Sequence, residues 1–255
     1  NIRLVNYEVQ KETFSHNGIV LNNFQRQAAE LFHNYVQIER EEFFGNDDLI
    51  KWLPEFQTDD AKCMCPPFMG KNYKRGGLII LPINPGGGNE KNDVRNDGDS
   101  ILYPVCHEFK SLEKNIPEYY WESFVPTFIN AMMSYPIYQK MTDILKSSQS
   151  TLDDICYFNF LPYRGKSNKY PASKKDMLDI VPECRDKFVE PVLDFLKPSL
   201  VISFGKQVDT YIREYWGNFQ FEKVSWNRAW VETESVLKEN ELSKKRLRDW
   251  AQGTF

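Results

Sequence analysis

Apolar side chains at Phe24, Ala28, Leu31, Phe32, Tyr35 and Ile38 recur at steps of three and four residues, the repeat of one helix face. Asn22 or Asn23 stands at the start of that pattern and suits an N-cap. Residues 54–76 are polar, interrupted by Pro66, Pro67 and Gly70, and read as a connecting segment. The pattern then changes period. Gly77–Ile83 is an almost unbroken apolar run, and so are Ile155–Phe160 and Leu200–Phe204, with a weaker run over Phe219–Val224. Continuous runs of this length predict strands buried on both faces, as in a parallel sheet flanked by helices. Helical spacing lies between them, around 120–147, 183–196 and 206–216, and a last helix is predicted over Val231–Trp250.

Strands alternating with helices predict an α/β fold: a three-layer α/β/α sandwich with a mainly parallel four-stranded central sheet. Residues 71–255 hold that domain, and residues 1–70 are expected as an N-terminal helical extension packed on its core. In such folds ligands bind beyond the carboxyl ends of the strands, so function is to be sought directly after each apolar run.

Composition narrows the classes. The chain has 255 residues with 41% hydrophobic and 15% aromatic side chains, enough to bury roughly three quarters of its unfolded surface. Disorder, collagen, coiled coil and small disulfide scaffolds are excluded. Mean hydropathy is -0.56, and no apolar run approaches the ~20 residues of a membrane-spanning helix. No basic-then-apolar leader is read at the start. The net charge of -4 leaves a local nucleic-acid face open. Five positive residues and no acid fall between Arg164 and Lys175, the pattern of a solvated loop or of a phosphate-binding one. The five cysteines fit no zinc or iron–sulfur spacing, so no metal and no cofactor is expected, and reduced thiols suggest a cytoplasmic protein.

Each strand end carries distinctive chemistry. Ile83-Asn84-Pro85-Gly86-Gly87-Gly88 follows the first. The glycines let a backbone approach a ligand closely, and Pro85 fixes the turn and aims Asn84, though a plain tight turn has the same make-up. No phosphate-loop pattern follows. Asn159 is a polar residue inside the second apolar run, and a buried amide must bond either backbone or ligand. Phe204-Gly205-Lys206 ends the third strand at a helix start, a place suited to anions.

The segments LPINPGG, FNFLPYRGKSN and KPSLVISFGKQV together resemble the uracil-DNA glycosylase superfamily, in particular its branch with an asparagine in the first motif. The resemblance spans about residues 76–225, roughly three fifths of the chain. It implies an enzyme that flips a nucleotide out of DNA and hydrolyses the bond between base and sugar. On that resemblance Asn84 positions the water as the catalytic residue, acting without deprotonating it because an amide is no base. Asn159 reads the edge of the flipped base, with Ile83, Pro85, Gly86 and Tyr103 around it and Tyr103 as the stacking platform. Arg164, Lys166, Lys169, Gly205, Lys206 and Arg228 are expected near the DNA phosphates. Gly86 stands where the uracil-strict branch has a tyrosine that blocks C5 substituents. A base larger than uracil is therefore expected to fit, such as a modified cytosine or thymine, including a hypermodified cytosine of phage DNA.

The histidine motif that closes the family's active site is missing. His16, His33 and His107 are the only histidines, and Ser225, Trp226, Asn227 and Arg228 occupy the matching place. His107 is a candidate to border the pocket if Tyr103 is the platform. Two other readings follow from the same residues: a non-catalytic nucleic-acid-binding module on this fold, and a small-nucleotide hydrolase. A monomer with DNA as its partner is the expectation, with roles in repair or in phage defence both open.

Overall fold

A computed structural model describes residues 20–44, 59–83, 97–164, 180–215, 220–229 and 231–255. The fold is mixed α/β around a mostly parallel sheet of five strands. These are β1 (Phe68–Met69), β2 (Leu78–Pro82), β3 (Ile155–Tyr157), β4 (Leu200–Phe204) and β5 (Glu222–Trp226), in the order β1-β3-β2-β4-β5. β2 runs parallel to both β3 and β4, and β4 runs parallel to β5. Only β1 is antiparallel, pairing Phe68 with Tyr157 and Met69 with Cys156. It is the strand that the four-strand expectation lacked, and a two-residue pairing leaves no periodic trace in a sequence.

β2 and β4 are buried along their whole length, as their unbroken apolar runs require. β5 alternates instead, with Val224 and Trp226 inward, and begins later than the predicted Phe219–Val224. β3 is shorter than its apolar run, yet the chain keeps tracking β2 past Tyr157. Phe158, Phe160 and Leu161 donate backbone N–H groups to the carbonyls of Ile80, Pro82 and Ile83 at 3.4, 2.8 and 2.7 Å. The alternation of a strand thus carries through Phe160: Phe158 and Phe160 share one face, Tyr157 and Asn159 the other.

Helix α1 (Asn23–Val36) starts with a capping box between Asn22 and Gln25 and buries Ala28, Phe32 and Val36. The short α2 (Arg40–Phe44) and α3 (Asp59–Lys62) precede β1. Helix α4 (Asp97–Lys110) was not read from the sequence, because Pro104 interrupts it and its first turn is polar. Gly98 lets α4 approach the next helices: a Cβ there would lie 2.5 Å from Ser134 Oγ and 2.8 Å from the Ala131 carbonyl oxygen. The predicted segment 120–147 is broken. A π-helical turn, Tyr120–Phe124, joins α5 (Ile116–Tyr119) to α6 (Val125–Ser134), and α7 (Pro136–Ser147) restarts after Tyr135. A second π turn, Arg185–Val189, leads into α8 (Glu190–Leu196). Helices α9 (Lys206–Tyr215) and α10 (Glu234–Ala251) complete the chain.

Phe128 of α6 contacts Tyr157, whereas Phe188 contacts Phe158 and Tyr211 of α9 contacts Phe160. Helices therefore meet both faces of β3 and its extension. Buried residues of α1, of the sheet and of α4 to α9 form one continuous apolar cluster. Tyr120 is fully buried, its hydroxyl donating to the Pro67 carbonyl at 2.8 Å and accepting from Met69 N–H at 2.9 Å. Tyr120 and the neighbouring Trp121 are thus part of the core. No described helix is long and apolar enough to cross a membrane.

Candidate functional site

The chain leaves β2 for β3 on one side, then crosses back over β2 to β4 on the other. The strand order reverses there, and the carboxyl ends of β3, β2 and β4 frame the crevice that such a switch point opens. Asn159, Ile83, Gly205 and Arg228 all lie at those ends or one strand beyond. Asn84, Pro85 and Gly86 follow Ile83 directly, and Lys166 and Lys169 follow Arg164; these five fall outside the described residues.

Asn159 is 8% exposed, and its side-chain oxygen Oδ1 is buried with no hydrogen-bond partner among the described residues. The flanking Phe158 and Phe160 are held against β2 and point to the opposite face, which fixes the direction of the amide. A buried carbonyl oxygen without a donor costs about 1–3 kcal/mol. Among the described residues no backbone group satisfies Oδ1. Ile83 is buried beside it and accepts the Leu161 N–H.

Gly205 has φ of +120°, a conformation that side-chain-bearing residues avoid. Its N–H donates to the Trp226 carbonyl at 2.9 Å, which joins the ends of β4 and β5. Lys206, first residue of α9, is exposed, and its ammonium lies 3.7 Å from Glu239 Oε1, an exposed pair of little energetic weight.

Arg228 is held by its neighbour. Asn227 is 8% exposed; its N–H donates to Asn240 Oδ1 at 3.0 Å and its carbonyl accepts from Asn240 Nδ2 at 2.9 Å. Its own amide donates to Glu239 Oε2 at 2.8 Å, and Ser243 Oγ donates to the Ser225 carbonyl at 2.6 Å. Helix α10 therefore splints the end of β5. The spacing of Glu239, Asn240 and Ser243 along one helix face was the available signal, masked in sequence by the surrounding charges.

Arg164 corrects an expectation. It is 3% exposed, and Nη1 donates to the carbonyls of Ala61, Cys63 and Asp60 at 2.8, 2.9 and 3.4 Å. Its guanidinium carbon sits 3.4 Å from the centroid of the Tyr103 ring. A guanidinium so enclosed caps the end of α3 and is not turned toward phosphates. Tyr103 is likewise core: it is 4% exposed with one ring face covered by Arg164, so a base cannot stack on that face. Burial pushes its hydroxyl pKa well up, and Arg164 partly offsets this. His107 pairs with Asp60 at 2.7 Å, and His33 packs edge-on against Phe109. Neither takes the place after β5.

Asp209 is the carboxylate built into the strand ends. It accepts from Ser203 Oγ at 2.9 Å and pairs with Lys223 and Arg213 at 2.8 Å each. Burial favours its neutral form, but the hydrogen bonds from Lys223 and Ser203 and the charges of Lys223 and Arg213 prevail and hold its pKa below the usual value. So neutralised, it ties β4, β5 and α9 together rather than serving as a base. Among the described residues no group of three or more His, Cys, Asp or Glu is arranged to hold a metal ion, and all five cysteines are free thiols.

These strand ends thus carry a buried acceptor without a partner among the described residues, with the cations Lys206 and Arg228 following β4 and β5. That pairing suits a heterocycle that offers an N–H donor and gathers negative charge. No protein-family model matches the chain, and no curated protein matches it.

Proposed function

We propose that this chain is a DNA glycosylase that hydrolyses the N-glycosidic bond of a flipped-out uracil-like or modified pyrimidine, leaving an abasic site. The observation that carries the reading is the buried Asn159 Oδ1 without a donor, at the switch point of a parallel sheet. An amide oxygen there accepts from the ring N–H of a uracil-like base or the exocyclic amine of a cytosine-like one. Binding the base recovers the hydrogen bond that the free protein lacks. On this reading the sheet is the middle layer of an α/β/α sandwich, with Phe128 over one face and Phe188 and Tyr211 over the other. On the same resemblance Asn84, directly after Ile83 in sequence, is the residue that positions the attacking water, and Gly86 in place of a tyrosine is consistent with a base substituted at C5.

The bond breaks through an oxocarbenium-like transition state, as in glycoside hydrolysis. The protein's part is to hold the extruded base, place a water below the sugar carbon and stabilise charge on the leaving group. A non-catalytic nucleic-acid-binding module is the second reading. It is favoured by the position of His33 and His107, neither of which stands after β5.

The test is a panel of labelled duplexes carrying uracil, a thymine mismatch, hydroxymethylcytosine or glucosylated hydroxymethylcytosine, treated with alkali after incubation. Alkali-sensitive cleavage at one base, abolished in Asn84→Ala and Asn159→Ala, supports the glycosylase. Binding of DNA with no cleavage of any duplex supports the module instead.

A further inference from the structure

Resting on the glycosylase reading above, we propose that the Arg228 guanidinium carries the negative charge that builds on the departing base, standing where the resembled family has a histidine. Four features converge on this residue. First, its backbone is fixed at the carboxyl end of β5, because Asn227 is clamped by Asn240 and Glu239 of α10. Second, its side chain runs back across the end of β4. Arg228 Nε, Cδ and Cγ lie 3.2, 3.5 and 3.6 Å from where a Cβ on Gly205 would stand. The positive φ of Gly205 and its missing side chain open that path.

Third, the charge is felt at β3. Burial raises the pKa of the Tyr157 hydroxyl, and Arg228 is the cation that opposes this. Tyr157 and Asn159 are two residues apart in a chain that keeps strand alternation, so they share a face. The guanidinium is thus within electrostatic reach of Tyr157, which shares a face with Asn159. From β4 to β3 is two strand spacings, roughly 10 Å, so the two groups flank the switch point. Fourth, Arg228 is half-buried yet makes no hydrogen bond or ion pair among the described residues. Arg164, by contrast, gives its Nη1 to three carbonyls. A partly desolvated guanidinium whose donors are unassigned calls for an anionic partner.

In the step itself the bond between the sugar C1′ and the ring nitrogen breaks, and its electron pair goes to the base. Water oxygen bonds C1′ and gives up its proton to solvent, and the released base anion takes a proton from solvent. Arg228 donates hydrogen bonds to the departing base but transfers no proton to it.

Single-turnover cleavage tests this on base pairs that differ in leaving ability: uracil against 5-fluorouracil, and 5-hydroxymethylcytosine against 5-formylcytosine. Arg228→Gln should lose on the order of 100-fold or more on the poorer leaving group, as removal of a charge-stabilising donor does, and clearly less on the better one. Affinity for an uncut duplex should hold. Arg228→Lys, which keeps the charge but not the fork, should recover part of the rate and serves as the test if the glutamine variant fails to fold. Equal losses on both members of a pair, or a loss confined to DNA affinity, would overturn the assignment while leaving the glycosylase intact. A wild-type protein that cuts neither these four bases nor any duplex of the panel above would overturn both.

Discussion

Replacing Arg164 with Met keeps the length of the buried stem and removes the head group that binds the end of α3. Two bonds under 3 Å, to Ala61 and Cys63, are lost together with a longer one to Asp60, and the stacked cation leaves the Tyr103 ring. Hydrogen bonds from a charged donor contribute about 1.5 kcal/mol or more each. A desolvated cation–π contact adds roughly 2 kcal/mol. Part of this is offset because Arg164 Nε is itself buried without a partner among the described residues and its desolvation cost disappears. The net loss should be about 3–4 kcal/mol, within the range seen when a buried charge network is broken. Against a total stability of ~5–15 kcal/mol that is a large fraction. Urea titration followed by tryptophan fluorescence reads it as a lower midpoint at unchanged slope. The chain has six tryptophans to report. Arg164→Lys should restore only part, because an ammonium neither forks nor stacks. A loss below ~1 kcal/mol combined with a clear drop in DNA affinity would refute the reasoning and return Arg164 to the phosphates.

Two further outcomes follow from the same contacts. Asn159→Leu should abolish base binding yet leave stability unchanged or raise it by up to ~1 kcal/mol, read as the thermal midpoint, because the orphaned oxygen goes; a clear fall would show that the amide is satisfied by the fold. Asp209 has its pKa held down in the folded chain. The native state therefore binds fewer protons than the unfolded one as pH falls through about 4, and the stabilisation present above that value is lost progressively below it. Asp209→Asn should be less stable at neutral pH and show a flatter fall of the denaturation midpoint in acid. An acid limb as steep as that of the parent protein would disprove this role.

Much of the fold was legible because continuous apolar runs have one cheap solution. Leu200–Phe204 was predicted and found residue for residue, and α1 begins at its predicted asparagine cap. Pairings and helices set by long-range partners were not legible. β1 is two residues whose only reason to be extended is β3 beside them. Helix α4 reads poorly through Pro104, although Leu102, Tyr103, Cys106 and Phe109 all face inward.

For the crevice, the order of residues along the chain marked which side chains follow strands, since strand ends can be read from hydrophobicity alone. It singled out Asn159 as a polar residue in an apolar run. Whether that amide was satisfied depended on which groups the fold brings within 3.5 Å, and there the tertiary structure alone decided: Oδ1 has no partner among the described residues. The two arginines make the same distinction. Both follow a strand and carry the same charge, so the sequence treats them alike. Folding encloses Arg164 between α3 and Tyr103 and lays Arg228 across a glycine with its donors still unassigned. Charge is a property of the residue; what it acts on is set by the desolvation and partners that only packing supplies.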